Sequence, residues 1–179
     1  MQFDKDARII YITEEINSSL GQVNFELIRW ISEDDKKAKT LKEFKREPIK
    51  IYIQSHGGTI CDMWSLIDIM LNSKTPIHTY CTGYASSAAF KIFLAGRKRY
   101  ASKHAMFLYH QMSYMAGGTH QDVREQLDNC EFENKRVRKY VMSRTKITKK
   151  KIKKIQAKKI DWFISAKEAK ELGIVNKII

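Results

Sequence analysis

The chain has 179 residues, 43% of them apolar and 30% charged, with 33 basic against 20 acidic side chains for a net charge of +13. That length and apolar share suffice for one sizeable core, and no run is long and apolar enough to read as a membrane span. No G-x-x-x-x-G-K-[ST] loop occurs, so any use of ATP belongs to a separate protein.

In chain order, apolar periodicity predicts a strand over Arg8–Thr13 and a helix over Ser19–Ile31 with Leu20, Val23, Leu27, Trp30 and Ile31 on one face. The polar stretch Ser32–Arg46 either extends that helix or loops to a strand over Ile49–Gln54. A helix over Ile60–Leu71, a strand over Ile77–Cys81 and a helix over Ser86–Leu94 follow. Short strands at Lys98–Ala101 and Met106–His110 precede a long helix over Thr119–Met142. Helices at Thr148–Ala157 and Ser165–Leu172 and a terminal strand over Ile174–Ile179 complete the chain. The only prolines, Pro48 and Pro76, each stand just before a predicted strand, and no linker or repeat divides the sequence. Strands alternating with helices imply an α/β core built from crossover units.

The candidate chemistry begins at Ser87, where an apolar strand turns into an apolar helix in IHTYCTGYASSAAFKIFLAG. A serine hydroxyl is a weak nucleophile at neutral pH and needs a base, which in turn needs a carboxylate to orient it. His110 ends the strand MFLYH, and Asp161 stands just before the apolar turn DWFISAKEA. The order Ser, His, Asp and the absence of G-x-S-x-G separate this set from the α/β-hydrolases. A second strand-to-helix turn, in IQSHGGTICDMW, carries Gly57 and Gly58, whose backbone N–H groups can face outward to hold an oxyanion. Taken alone the glycine pair reads as a tight turn; its recurrence in tandem with the serine turn gives it weight.

These residues carry a resemblance. From about Arg8 onward the chain is similar to the caseinolytic serine peptidases, the proteolytic subunits of ATP-dependent Clp proteases. Ser55, His56, Gly57 and Gly58 match the family's S-P-G-G apart from the proline. Gly83, Ala85 and Ser87 match G-x-A-x-S and select Ser87 over Ser86. His110 and Gln111 match the H-Q that follows a strand. Asp161, Phe163, Ile164, Ser165, Ala166, Glu168 and Ala169 match D-x-F-[LI]-S-A-x-E-A. The chain departs at Ala88, Ala89 and Met112, where methionine, glycine and proline are usual.

The resemblance implies an α/β fold of the crotonase-like β-β-α superhelix type, one domain over residues 1–179, with a projecting handle helix in a region of about 112–145. It implies that Ser87 attacks a peptide carbonyl, His110 carries the proton and Asp161 orients the imidazole. The amides of Gly58 and Ala88 form the oxyanion hole, and Gly57, Thr59, Ile60 and Gln111 bind substrate. It implies polypeptide substrates, no cofactor, and self-association as stacked heptameric rings, a homo-tetradecamer joined through the handle helix and the adjoining strand. The expected partner is a separate AAA+ unfoldase; Tyr52 keeps the family's docking character, while Lys50 and Asn72 are polar there, which leaves that partner open. The family's N-terminal axial segment is expected to be nearly absent.

The charge offers a competing reading. Eight lysines fall between Lys146 and Lys159, a density suited to phosphates. Ile147, Ile152, Ile155 and Ile160 interleave them as a core-facing stripe, so a solvated helix face is the favoured reading, with no specific nucleic acid and no membrane as partner. Val123, Leu127, Cys130, Val137 and Val141 form a similar stripe on the long helix. Cys61, Cys81 and Cys130 read as buried reduced thiols and, with no signal peptide visible, point to the cytoplasm. No ligand spacing supports a metal site at His56 or His120; His78 and His104 read as structural or surface residues, and His56, beside Gly57 and Gly58, as one that touches substrate or competes for the serine proton. Two other functions remain open: a non-catalytic structural subunit of such a ring, and an acyl-CoA enzyme of the same superfold.

Overall fold

A computed structural model describes residues 1–179. Strands β1 (Gln2–Asp4) and β2 (Ile9–Ile12) form an antiparallel pair at one edge of a mixed sheet. Helix α1 (Leu20–Thr40) leads to β3 (Ile49–Ser55), α2 (Ile60–Asn72), β4 (Ile77–Ser86) and α3 (Ser87–Ala95). Then come β5 (Lys98–Ala101), β6 (Met106–Tyr109), α4 (His120–Arg144), α5 (Lys149–Ala157), β7 (Trp162–Ser165), α6 (Ala166–Glu171) and β8 (Lys177–Ile178). The protein is thus α/β, with strand order β1-β2-β3-β4-β5-β8 and with β6 and β7 branching from β4.

The branch positions the site. The first half of β4 pairs in parallel with β5, His78 opposite Lys98 through Cys81 opposite Ala101. Its second half pairs with β6 instead, Tyr84 opposite Met106 and Ser86 opposite Leu108. A register shift in β3 between Ile53 and Ser55 accompanies this change, as expected where a bulge bends a sheet. Strand β7 then lies antiparallel to β6, with Tyr109 opposite Trp162.

A contiguous core fills the space beneath these strands, built from alternate residues of β2 and β3 (Ile10, Ile12, Ile49, Ile51, Ile53) and from one edge of each amphipathic helix. Helix α3 is different: all eight residues from Ala88 to Ala95 are buried, so it runs through the interior. Burying each of its large apolar side chains, such as Phe90 or Phe93, contributes about 1.5–3 kcal/mol relative to exposure.

The polar stretch extends α1 to Thr40, carried by the buried Arg8–Asp34 ion pair at 2.8 Å and the Thr75 hydroxyl donating to Asp34. Strand β4 runs five residues beyond the expected Cys81, and β1 and β7 are additions. Residues 111–117 carry no ladder pairing, so the strand expected beside the long helix does not form within the single chain. Helix α4 buries only Cys130, Val137, Tyr140 and Val141; Leu127 is exposed and Val123 half-buried, so its first turns stand away from the body. In α5, Ile152 and Ile155 are buried along with Ile147, but Ile160, beyond the helix end, is 38% exposed. Cys61 is exposed, because α2 turns Met63, Leu66, Ile67 and Met70 inward instead. No helix is long and apolar enough to cross a membrane.

Candidate active site

Two strand registers bring the three chemical residues together. Because Ser86 lies opposite Leu108, Ser87 sits one step past the end of the β4–β6 pairing and His110 two steps past it. Because Tyr109 lies opposite Trp162 in an antiparallel pair, the next positions outward are His110 and Asp161. A serine, an imidazole and a carboxylate from three strand ends therefore meet at one edge of the sheet.

Ser87 is the first residue of α3 and has φ 51°, in the left-handed region that a non-glycine residue occupies at a cost of about 1–3 kcal/mol. This turn exposes the side chain at the mouth of a cavity of about 310 Å³ while the rest of α3 goes inward. Gly57, at φ 106°, packs directly against it: a Cβ there would lie 2.7 Å from Ser87 Cβ and 2.9 Å from the Ala88 nitrogen. Gly58, at φ 149°, has no room for a Cβ beside the Ile16 carbonyl. Two backbone bonds of 2.7 Å, from the Ile16 N–H to the Gly57 carbonyl and from the Thr59 N–H to the Ile16 carbonyl, clamp this turn.

The clamp leaves the Gly58 N–H without a hydrogen-bond partner in the chain. At the start of α3 the N-cap residue Ser86 makes no side-chain capping bond, so the first-turn amides, Ala88 among them, receive none from the cap. Gly58 and Ala88 line the same cavity as Ser87 and His110, and α3 directs the positive end of its dipole there. Thr59 and Ile60 line it as well, whereas Gly57 is buried behind the serine. His56 lines the rim and stacks on Tyr84 with ring centroids 4.2 Å apart.

His110 also lines a second cavity, of about 390 Å³, with Asp161 and Gln111. Gln111 is thus on the carboxylate side of the imidazole rather than the serine side. Burial lowers the basicity of His110, and the charge of Lys91 lowers it further. Asp161 and a backbone hydrogen bond at Gln111 oppose them. Asp161 acts on the ring through its charge, with no side-chain hydrogen bond between them, and no Ser87–His110 hydrogen bond is formed. Catalytic hydrogen bonds are often long before substrate binds.

Lys91, one helical turn after Ser87, lines the serine-side cavity with only 7% of its surface exposed. Burial lowers its pKa to about 8. Its ammonium lies 5.6 Å from the centre of the Tyr109 ring, and the Tyr109 hydroxyl is sealed without a hydrogen-bond partner. Sequence reasoning missed both; the available signal was a lone lysine inside the apolar run SAAFKIFLA. No cluster of three His, Cys, Asp or Glu side chains that could hold a metal ion occurs.

A family profile described as "Clp protease" matches residues 4–179. The chain belongs to the Clp protease family. It is 32% identical over 175 residues to "ATP-dependent Clp protease proteolytic subunit 1" of Shouchella clausii (strain KSM-K16), covering 96% of this chain and 84% of that relative. It is 30% identical to "ATP-dependent Clp protease proteolytic subunit 2" of Synechococcus sp. (strain CC9605), covering 96% and 83%. The match spans both glycine and serine turns, the histidine strand end and the aspartate turn.

Proposed function

We propose that the protein is a serine endopeptidase that cleaves polypeptides inside a ring-shaped compartment, by acyl-enzyme chemistry on a single domain with a crotonase-like β-β-α superhelix. Ser87 attacks the carbonyl carbon and His110 takes its proton. Asp161 stabilises the imidazolium and fixes its tautomer. The amides of Gly58 and Ala88 hold the oxyanion, and His110 returns the proton to the leaving amine; water then releases the acyl group by the same steps. The observation that carries this reading is the double register that sets His110 beside both Ser87 and Asp161.

The assembly proposed is two stacked heptameric rings, a homo-tetradecamer, with the region of about 112–145 as the handle. Met115, 95% exposed, together with Tyr114, Leu127 and Phe132, places apolar area on that arm, and Phe25 and Ile28 place more on the outer side of α1. Such patches favour association. Joining rings through the segment at 111–117 also tightens the loop that follows His110, so assembly and triad closure are coupled. The partner proposed is an AAA+ unfoldase. Tyr52 belongs to a row of four stacked tyrosines across β2–β5, Tyr11, Tyr52, Tyr80 and Tyr100, with ring centroids 4.7–5.3 Å apart. Lys50 shares that face and sets a basic edge to it.

Labelling with a fluorophosphonate probe, alongside native mass measurement, tests the reading. Wild type is expected to label and Ser87→Ala not to. An assembled wild type that never labels supports the structural-subunit alternative, and labelling that survives Ser87→Ala removes Ser87 as nucleophile.

A further inference from the structure

The cavity beside Ser87 contains a cation with nothing to balance it. The Lys91 ammonium has no hydrogen bond or ion pair within the chain, and no aspartate or glutamate lines the cavity. Around the ammonium stand the Tyr109 ring, Val137 and the neutral polar groups of Asn134 and Gln156. Asn134 and Gln156 are themselves linked, the Gln156 amide donating to Asn134 while the Gln156 carbonyl accepts from Arg138. A charge withdrawn from water is costly unless paired, and here the pairing group is missing from the protein. The lysine is anchored as well as buried: the Tyr140 hydroxyl donates to the Lys91 carbonyl at 3.0 Å. It lies on the same face of α3 as the nucleophile, so it meets whatever substrate group enters next to the scissile bond.

We propose that Lys91 makes this protein select a substrate carboxylate, the side chain of a glutamate or aspartate on the acyl side of the scissile bond, which enters the cavity beside Ser87 and pairs with the ammonium. The inference rests on the peptidase reading above and names its substrate class. An apolar side chain in this cavity seals the ammonium away from water unpaired, and a basic one adds like-charge repulsion; both are disfavoured. A glutamine fits the same space but lacks the charge, so the comparison of glutamate with glutamine isolates the electrostatic part.

The test uses the full chain in its native assembly and internally quenched peptides with both ends blocked. One set varies only the residue before the scissile bond (Glu, Gln, Leu, Lys), and a parallel set varies the residue after it. In the first set the expected kcat/KM for Glu exceeds that for Gln by roughly tenfold or more, with Lys poorest. In Lys91→Met the Glu:Gln ratio falls to about 1 and Leu gains, as charge complementarity is lost. Lys91→Gln, which keeps polarity, is expected to lose the ratio as well, and it provides the reading if the Met variant does not assemble. Fluorophosphonate labelling is read in parallel and separates the two ideas. An unlabelled wild type overturns the peptidase reading and this one with it, whereas a labelled wild type with equal Glu and Gln rates overturns only the present proposal. A preference confined to the second set, or to peptides with a free C-terminus, assigns the carboxylate elsewhere and also overturns it. An assembled Lys91→Met that no longer labels makes the lysine part of the chemistry rather than of selection.

Discussion

Helices α3 and α5 are both nine residues long, and they use lysine in opposite ways. In SAAFKIFLA a single lysine is buried with all of its helix but Ser87; in KKKIKKIQA five lysines are solvated around one apolar edge, Ile152 and Ile155. Net charge is therefore a poor guide to where charge matters. The lysines of α5 are the densest charge in the chain, yet they are solvated, while Lys91 sits where removing a solvent shell has a large free-energy cost.

The contrast can be broken or sharpened by substitution. The largest effect is expected at the head of α3: Ser87→Ala lowers peptidase kcat by about 10⁴–10⁶-fold with the fold intact, measured on unstructured protein substrates. Next, Ile152→Ala on the buried edge of α5 lowers stability by about 2–5 kcal/mol in denaturant unfolding, because it leaves a cavity. Lys91→Met acts in the other direction and raises stability at neutral pH by about 3 kcal/mol, as an unpaired buried charge is removed. That gain depends on pH. The folded state sheds the lysine proton near about 8 against an ordinary 10.5, so the penalty is complete below 8 and fades as pH rises toward 10.5. The two stability curves should converge over that window; parallel curves would place Lys91 in water.

A smaller effect falls on His110. Catalysis needs the neutral imidazole, which is lost as pH falls through its pKa, and burial and Lys91 hold that pKa below the usual histidine value. The acid limb of kcat/KM is expected below that of an ordinary histidine in wild type and to move to higher pH in Lys91→Met. The smallest effect belongs to α5: replacing Lys149, Lys150 and Lys153 by glutamine changes stability by no more than about 0.5 kcal/mol per site and leaves probe labelling unchanged. Lys151 is excluded because its ammonium lies 4.3 Å from the centre of the Trp162 ring.

Much of this was legible in the sequence because strongly periodic segments carry their own signal. Strands β3 and β5 and helices α2 and α3 fell within a residue or two of their expected bounds. Ser87, His110 and Asp161 were singled out from the sequence, and the strand registers bring them to neighbouring strand ends. What escaped depends on neighbours. Strand β7 is four residues long and half exposed, so WFIS reads as a turn until β6 is there to pair with it. The second half of β4 hides behind Gly83, which looks like a strand end. Cys61 and Ile160 were expected inside and lie outside, since an apolar stretch does not say which of its residues the rest of the chain will cover. The depth of Lys91 is set by β6 and α4 closing over α3, and no local pattern records that closure.

Strand β7 has one more consequence. The proposed nucleophile and base are laid down in the first two-thirds of the chain, but the proposed acid gains its place only when β7 zips onto β6. During synthesis, a ribosome that has already released Ser87 and His110 has yet to make the strand that sets Asp161 beside them. Under the proposed roles, the third partner of the site is added only with the last segments to emerge, after α4 and α5 have been made.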